Sequence, residues 1–332
     1  MRAVVARTLD GPAALVVEQR GDLVAGPGEA VIDVRVAALN RRDLGATAGK
    51  WPGIEPPFVP GSDCAGVVRS IGAGVSGLAP GDEVVVLPSL DWGDDPAAPG
   101  PAFRVLGGPD DGTFAEQVRV PGVNVFRRPR SYSWHEAAAL PLAGVTMWRA
   151  LHTRARLRAG ESVLVLGAGA GTSTLAVSMA RAAGAQVWVT SSDASKIDRA
   201  RELGASGGVD YRSDGWVEEI RERTGGVDVV LDGIGTWEQS IGCVRSGGRV
   251  VAFGQTAAPR ADVTVAALYR SQISLLGTMM GSPAEFRALL RHAAVADWRP
   301  VIDSAFALDA VGEACARLAG PDHFGKVVLD VG

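Results

Sequence analysis

Apolar positions along the chain fall into two rhythms. Over residues 1–128 they form short, partly alternating runs: Arg2–Ala6, Leu15–Gln19, Glu29–Ala38, Gly66–Ile71, Glu83–Leu87 and Phe114–Val120. Gly-Pro-Gly-Glu, Ala-Pro-Gly-Asp and Gly-Pro-Asp-Asp-Gly separate them, which predicts short strands joined by turns in a barrel-like β domain. Ser89–Asp111 carries Pro, Gly and Asp without periodicity and is expected to leave the barrel as an excursion. From about residue 130 the rhythm changes. Ser133 followed by Glu136 predicts a helix start with a capping box. Beyond Gly160 the pattern predicts strand 163–166, helix 172–183, strand 186–190 and helix 194–203, stopped by Gly204. It continues with helix 215–223, strand 227–231, helix 236–245, strand 249–253 and an edge strand near 272–276. Such βα alternation implies a doubly wound parallel sheet. The tail returns to a helix over Ala284–Ala296 and a strand over Lys326–Asp330. The fold class expected is α/β. A β domain (1–128 and 280–332) is interrupted by a dinucleotide-binding domain (129–279), with substrate expected in the cleft between them.

A chain of 332 residues, 47% hydrophobic and 21% charged, is expected to form two domains. The net charge of -4 supplies no overall basic field for nucleic acid or an anionic membrane. No apolar run approaches the roughly 20 residues needed to span a bilayer. Met1–Val4 reads as a first strand, not a signal peptide. Cys64, Cys243 and Cys315 are far apart and lack a CxxC pair, as expected of small buried thiols in a reducing cytoplasm.

The most informative segment is Val163–Gly171, Val-Leu-Val-Leu-Gly-Ala-Gly-Ala-Gly. An apolar strand ends in Gly167, Gly169 and Gly171, and a helical stretch follows from Thr172. Glycines let the backbone approach a pyrophosphate, while free N–H groups and the helix dipole favour its charge. A dinucleotide site is therefore expected here.

Several further motifs occur in a fixed order. They are Ala37–Asp43, Pro60–Val68, Val75–Val84 with Gly81-Asp82, Ala138–Thr146, Asp228–Gly235, Gly247–Gly254 and Gly325–Leu329. Together with the glycine loop they make the chain similar to the medium-chain dehydrogenase/reductase superfamily, in its zinc-free, quinone-oxidoreductase-like branch. The resemblance covers nearly the whole length. It implies a GroES-like β domain plus a Rossmann domain, and a homodimer joined through the last Rossmann strand, here the apolar Gln272–Leu276. Where zinc-using relatives carry metal ligands, this chain has Asn40, Ser62 and Leu142, a poor donor set for a soft tetrahedral ion. The four cysteines of a structural zinc lobe are missing from 89–111, and the four histidines show no ligand spacing and are expected on the surface or on helices. No metal is expected.

The resemblance also implies the cofactor contacts. Ser191 stands where NAD-preferring relatives carry an acid, followed by Ser192, while Lys196 and Tyr211 are placed to meet a 2′-phosphate. NADPH is therefore expected, although Asp193 turned inward would favour NADH, and Lys196 facing water would bind nothing. Ala170-Gly171-Thr172-Ser173 replaces the commoner Gly-Gly-x-Gly with residues still small enough for close packing. Asp232, Gly235, Phe253, Gly254, Gly277, Thr278 and Met279 follow strands of the sheet and are expected to wall the nicotinamide pocket, with a plain βα turn as the alternative for Asp232 and Gly235.

Without a metal, hydride transfer suits an acceptor that is already electrophilic, a quinone or an α,β-unsaturated carbonyl. Asn40 is the expected hydrogen-bond donor, or else an amide closing a turn; Asp43 caps a helix or orients Asn40. Thr146 matches a residue on the nicotinamide side in relatives, and is otherwise an ordinary helix threonine. Trp51 stands where enoyl-thioester reductases carry a proton-donating tyrosine; it cannot act as an acid, and either stacks on a flat substrate or packs the rim. The leading expectation is a cytoplasmic NADPH-dependent reductase acting on a small molecule. A metal-independent NADP(H) alcohol or ketone dehydrogenase and a non-catalytic NADPH-binding protein remain as alternatives.

Overall fold

In the computed structural model, which describes residues 1–257 and 260–332, the alternating segments of the first part become strands. They are β1 (Arg2–Ala6), β2 (Leu15–Gln19), β3 (Glu29–Ala38), β4 (Asp63–Ile71), β5 (Glu83–Val86), β6 (Ser89–Leu90), β7 (Arg104–Val105), β8 (Gln117–Pro121) and β9 (Val125–Arg127). Helix α1 (Arg41–Thr47) leaves the end of β3 directly. Phe114–Glu116 lies outside β8 and meets β1 at the bridge Ala3–Ala115 and through the Glu116 carboxylate, which accepts from Arg2 N–H at 2.8 Å and Arg2 Nε at 2.7 Å. Helix α2 (Trp134–Ala138) starts at the expected box: the Ser133 hydroxyl accepts from Glu136 N–H at 3.2 Å, and the Glu136 carboxylate accepts from Ser133 N–H at 2.7 Å. Helix α3 (Pro141–Trp148) runs on into a π-helical turn over Arg149–Arg154.

Next come β10 (Ser162–Val165), α4 (Gly171–Ala182), β11 (Gln186–Ser191), α5 (Ala194–Glu202), β12 (Gly207–Asp210) and α6 (Trp216–Thr224). Then follow β13 (Val227–Asp232), α7 (Trp237–Cys243), β14 (Val244–Ala252), α8 (Val265–Ser271) and β15 (Ser274–Gly277). The six strands pair in parallel in the order β12-β11-β10-β13-β14-β15. Strand β12 escapes the hydrophobic pattern because two of its four residues are glycine. Both are required: a Cβ on Gly207 would stand 2.5 Å from the Trp188 ring, and one on Gly208 2.7 Å from Ile197.

The chain closes with α9 (Pro283–Val295), β16 (Ile302–Ala307), α10 (Val311–Ala319) and β17 (Lys326–Asp330). Neither β16 nor α10 is among the expected elements. Strand β17 enters between β16 and β3 in the sheet β16-β17-β3-β4-β5-β9, with β8 also on β3. Its face contributes Val327 and Leu329 to a core shared with Leu39, Cys64, Val84 and Phe114.

Two units result. One comprises Met1–Val145, Gly281–Val295 and Arg299–Gly332; the other comprises Thr146–Met280 with Ala296–Trp298. The first boundary falls at Val145/Thr146, later than the expected 128/129, because α2 packs on β3 and β4. All three cysteines are buried and unpaired, and burial pushes Cys243 and Cys315 up to about 12. His323 corrects one expectation: it is buried in a loop, where Nδ1–H donates to the Gly320 carbonyl at 2.9 Å. Among the described residues no helix is long and apolar enough to cross a membrane.

Candidate functional site

In the first unit, the chemistry gathers where β3 ends. β17 runs antiparallel to β3 with Val328 opposite Ala38, and Leu39 N–H donates to the Val327 carbonyl at 2.9 Å. Continuing that register by two residues sets Lys326 against Asn40. On the other side, β4 places Asp63 opposite Ala38. The three side chains meet below the surface, with Asp63 0% exposed, Lys326 3% and Asn40 8%. Lys326 Nζ donates to Asn40 Oδ1 at 2.6 Å and to Asp63 Oδ2 at 3.2 Å. Asn40 Nδ2 donates to Asp63 Oδ2 at 2.9 Å, and Leu142 N–H donates to Asp63 Oδ1 at 2.8 Å. An ammonium on one side and a carboxylate on the other fix which end of the amide is oxygen. Among the described residues, one N–H of the Asn40 amide is left over.

A second tier holds this one. Asp43, in the first turn of α1, accepts the Asn40 backbone N–H at 2.7 Å, and the Ser62 hydroxyl lies 3.1 Å from its other oxygen. Burial pushes the Asp43 carboxyl up to about 6, more than the neighbouring Arg42 guanidinium pulls it down. Asp43 thus orients Asn40 through its backbone. Arg42 itself went unnoticed in the sequence. Its guanidinium donates to Ser62 Oγ and to the carbonyls of Val105, Leu106, Gly107 and Gly108 at 2.8–3.4 Å, tying the 89–111 excursion to α1. Trp51 is 44% exposed, and its indole N–H donates to the Arg42 carbonyl at 3.3 Å, so its polar atom is engaged within the chain.

These residues do not fit a zinc ion. The Asn40 oxygen and the Asp63 carboxylate already face an ammonium, which would repel a dication. Ser62 is engaged with Asp43, Arg42 and the Leu106 carbonyl, and Leu142 has no donor atom on its side chain. Among the described residues, no group of three His, Cys, Asp or Glu side chains converges.

In the second unit, β10 runs into the glycine loop. Gly167 has φ +79°, a conformation costly for any residue with a Cβ. Its N–H donates to Thr190 Oγ1 at 3.1 Å. Gly169 follows in the turn, Ala170 is the N-cap of α4, and the first helical bond runs from Thr174 N–H to the Ala170 carbonyl at 2.9 Å. Gly171, Thr172 and Ser173 therefore carry the orphan donors of the helix start. At the ends of β13 and β14 the backbone turns touch. A Cβ on Gly254 would stand 2.5 Å from the Gly233 carbonyl, and one on Gly233 2.7 Å from the Phe253 ring.

Asp232 is placed differently from the expectation that it lines the pocket. It is fully buried, and its carboxylate accepts from Ile234 N–H at 2.8 Å, Gly235 N–H at 2.7 Å and Ser240 Oγ at 2.9 Å. It shapes the turn at Gly235 and has little capacity left for a ligand. Beyond Gly277, the last residue of β15, the Thr278 hydroxyl is a buried polar atom without a hydrogen-bond partner among the described residues, and Met279 is half-exposed. Thr146 is buried on α3. The orphan helix donors, the glycine cradle and the unpartnered Thr278 hydroxyl fit a dinucleotide.

At the end of β11, the buried Ser191 hydroxyl accepts from Asp193 N–H at 3.1 Å. Asp193 in turn caps α5, accepting from Ser195 N–H at 2.8 Å, and those bonds hold its carboxyl below its ordinary value. The carboxylate that would have favoured a ribose hydroxyl is thus committed to the helix. β12 pairs with β11 so that Asp210 lies opposite Ser191, which brings the half-exposed Tyr211 to the same sheet end as Ser192 and Lys196.

Residues 26–130 match the alcohol dehydrogenase GroES-like domain family, and residues 171–294 match the zinc-binding dehydrogenase family. A zinc-type alcohol dehydrogenase-like protein of Schizosaccharomyces pombe is 33% identical over 317 residues, covering 92% of this chain and 91% of that protein. A 2-methylene-furan-3-one reductase of Solanum lycopersicum is 31% identical over 307 residues, covering 91% of this chain and 71% of that protein. The solved structure of an NAD-dependent alcohol dehydrogenase superposes with a TM-score of 0.95 at 36% identity, covering 100% of both chains. The likeness to dehydrogenases implies a nicotinamide cofactor. With its GroES-like and Rossmann-type domains, the chain belongs to the medium-chain dehydrogenase/reductase superfamily and is an oxidoreductase of that family.

Proposed function

We propose that the protein is a metal-independent, NADPH-dependent reductase of quinones or α,β-unsaturated carbonyls. The observation that carries this reading is the Asn40 amide, locked by Lys326 and Asp63 with one N–H to spare, where zinc-using relatives bind their ion. An acceptor that is already electrophilic needs such a donor rather than a Lewis acid. The reductase from Solanum lycopersicum, by its name, points to the same substrate class.

A bound coenzyme would supply the hydride. The N–H groups of Gly171, Thr172 and Ser173 would hold its pyrophosphate, and the Thr278 hydroxyl would be a partner for its amide end. Ser191, Ser192, Lys196 and Tyr211 receive the 2′-phosphate, a reading supported by the commitment of Asp193 to α5. Thr146 borders the nicotinamide. Asn40 donates its free N–H to the acceptor oxygen as charge develops there, and Trp51 offers its exposed ring face to a flat acceptor. We place the protein in the cytoplasm on its three unpaired thiols, and as a homodimer through the edge strand β15. A monomer in sedimentation at micromolar concentration would reject the dimer.

A second reading, ketone or alcohol turnover, is favoured by the NAD-dependent alcohol dehydrogenase neighbour. One screen separates the two. NADPH and NADH consumption is followed against quinones, enones and simple ketones in excess chelator. Quinone or enone turnover that survives chelator is expected; ketone turnover alone supports the second reading. Binding of NADPH without turnover would mark a non-catalytic binding protein. Lys196→Ala is expected to raise the NADPH KM by about tenfold, the worth of one charge-assisted hydrogen bond, and to leave NADH unchanged. Equal weakening of both coenzymes rejects the phosphate assignment.

A further inference from the structure

We propose that Lys326 is a catalytic residue of this reduction: its ammonium supplies the positive charge, and then the proton, that the acceptor oxygen needs. This inference rests on the reductase reading above. Lys326 opens β17 ahead of the apolar run Val-Val-Leu, and lies buried against a fully buried carboxylate. A buried ion pair is a poor source of stability, since well-packed apolar residues of similar volume do as well or better. Each Asp63 oxygen has a donor besides the lysine, Leu142 N–H on Oδ1 and the Asn40 amide on Oδ2. A function for the charge is the simpler account.

The geometry says which function. An ammonium has three N–H donors, and the described residues claim two of them, through Asn40 Oδ1 at 2.6 Å and Asp63 Oδ2 at 3.2 Å. The Asn40 amide has two N–H donors, one of them claimed by Asp63. Two uncommitted N–H groups therefore sit on side chains bonded to each other, one neutral and one cationic. That is the composition of an oxyanion hole, held in place by Asp63 and, through Asn40, by Asp43.

The balance for an enone is as follows. The hydride pair forms a C–H bond at the β-carbon, and the C=C pair shifts toward the carbonyl, whose oxygen becomes an enolate oxygen. A Lys326 N–H bond breaks, its proton passes to that oxygen, and the enol relaxes to the ketone. Lys326, left as a neutral amine, regains a proton from solvent water. For a quinone the same transfer yields the hydroquinone oxygen. One hydride and one proton are consumed per acceptor.

The test uses the full chain. Lys326→Met with Asp63→Asn removes both buried charges together and is expected to melt near wild type and to bind NADPH unchanged by fluorescence titration. Its kcat for enones is expected to fall by about 100-fold or more, the usual worth of an oxyanion donor or a general acid, with KM nearly constant. Lys326→Ala is the second variant, expected to recover turnover with added methylammonium but not with tetramethylammonium, which has no N–H. A folded double variant with kcat within about threefold of wild type overturns the proposal. So does a raised NADPH Kd at unchanged kcat, which would make Lys326 a coenzyme-binding residue, and so does equal rescue by both cations. Wild-type protein that reduces no enone or quinone fails the reductase reading itself, a result distinct from an active wild type with an indifferent variant.

Discussion

Asp43 and Gly254 show how much rests on single positions. With its carboxyl raised to about 6, Asp43 favours its protonated form in the folded protein, whereas the unfolded chain titrates near the ordinary value of about 3.9. The stability it contributes is full below pH ~4 and is lost as pH rises through about 6. Asp43→Asn, which keeps an acceptor for the Asn40 N–H, is expected to flatten that part of the stability profile, read by urea denaturation at several pH values. At Gly254, a methyl group would stand 2.5 Å from the Gly233 carbonyl and force two touching backbone turns apart, so Gly254→Ala is expected to cost about 1–3 kcal/mol and to weaken coenzyme binding. Thermal melts and a coenzyme titration check both effects. The Asn-Arg-Arg-Asp run made Asn40 and Asp43 legible because their mutual contact is local, three residues apart. Lys326 was not legible as a partner of Asn40, since 286 residues separate them and nothing in the strand pattern announces which strand lies alongside. Arg42 was hidden for the same reason, its carbonyl partners lying 63 to 66 residues on. Asp232 shows the opposite case: its place at a strand end was readable, whereas the direction of its carboxylate was not.

Among the elements, β17 depends on its neighbours for its setting. Asp303 of β16 accepts from Arg317 of α10 through both carboxylate oxygens at 2.8 Å, and from Phe324 N–H, just before β17, at 2.8 Å. These bonds hold the carboxyl down at about 2 despite burial. The sign is opposite to that of Asp43: this stability is present above pH ~4 and disappears as pH falls through about 2. Asp303→Asn is expected to cost on the order of 1–2 kcal/mol at neutral pH, discounted because Arg317 is partly exposed, and to cost nothing near pH 2. Acid denaturation followed by circular dichroism would show the two curves converging. β16 lacked a readable signature because none of its residues is fully buried, whereas α10 carries buried residues at helical spacing, Val311, Ala314, Cys315 and Leu318, that separate it from a loop only once that spacing is counted. The parallel sheet was more legible: its central strands β10 and β13 are buried along nearly their whole length and carry apolar runs, whereas glycine thins β12.

Across the whole molecule, the first unit is built from three stretches of chain, and the second is spelled out between them. Deleting 320–332 removes β17 and Lys326 while leaving every strand of the six-stranded sheet encoded. Such a chain is expected to retain NADPH binding and to lose reductase turnover, measured by fluorescence titration and NADPH oxidation. The two-unit plan was visible as a change of rhythm near residue 130, because alternation of period two and βα alternation bury their apolar residues in different ways. The late boundary at Val145/Thr146 was not, since α2 looks like any capped helix until its packing partners are known. The pairing of Lys326 with Asn40 also bears on how the protein is made. A ribosome that releases its product between the end of β15 and that lysine is expected to leave a polypeptide that grips reducing equivalents yet has no means of spending them.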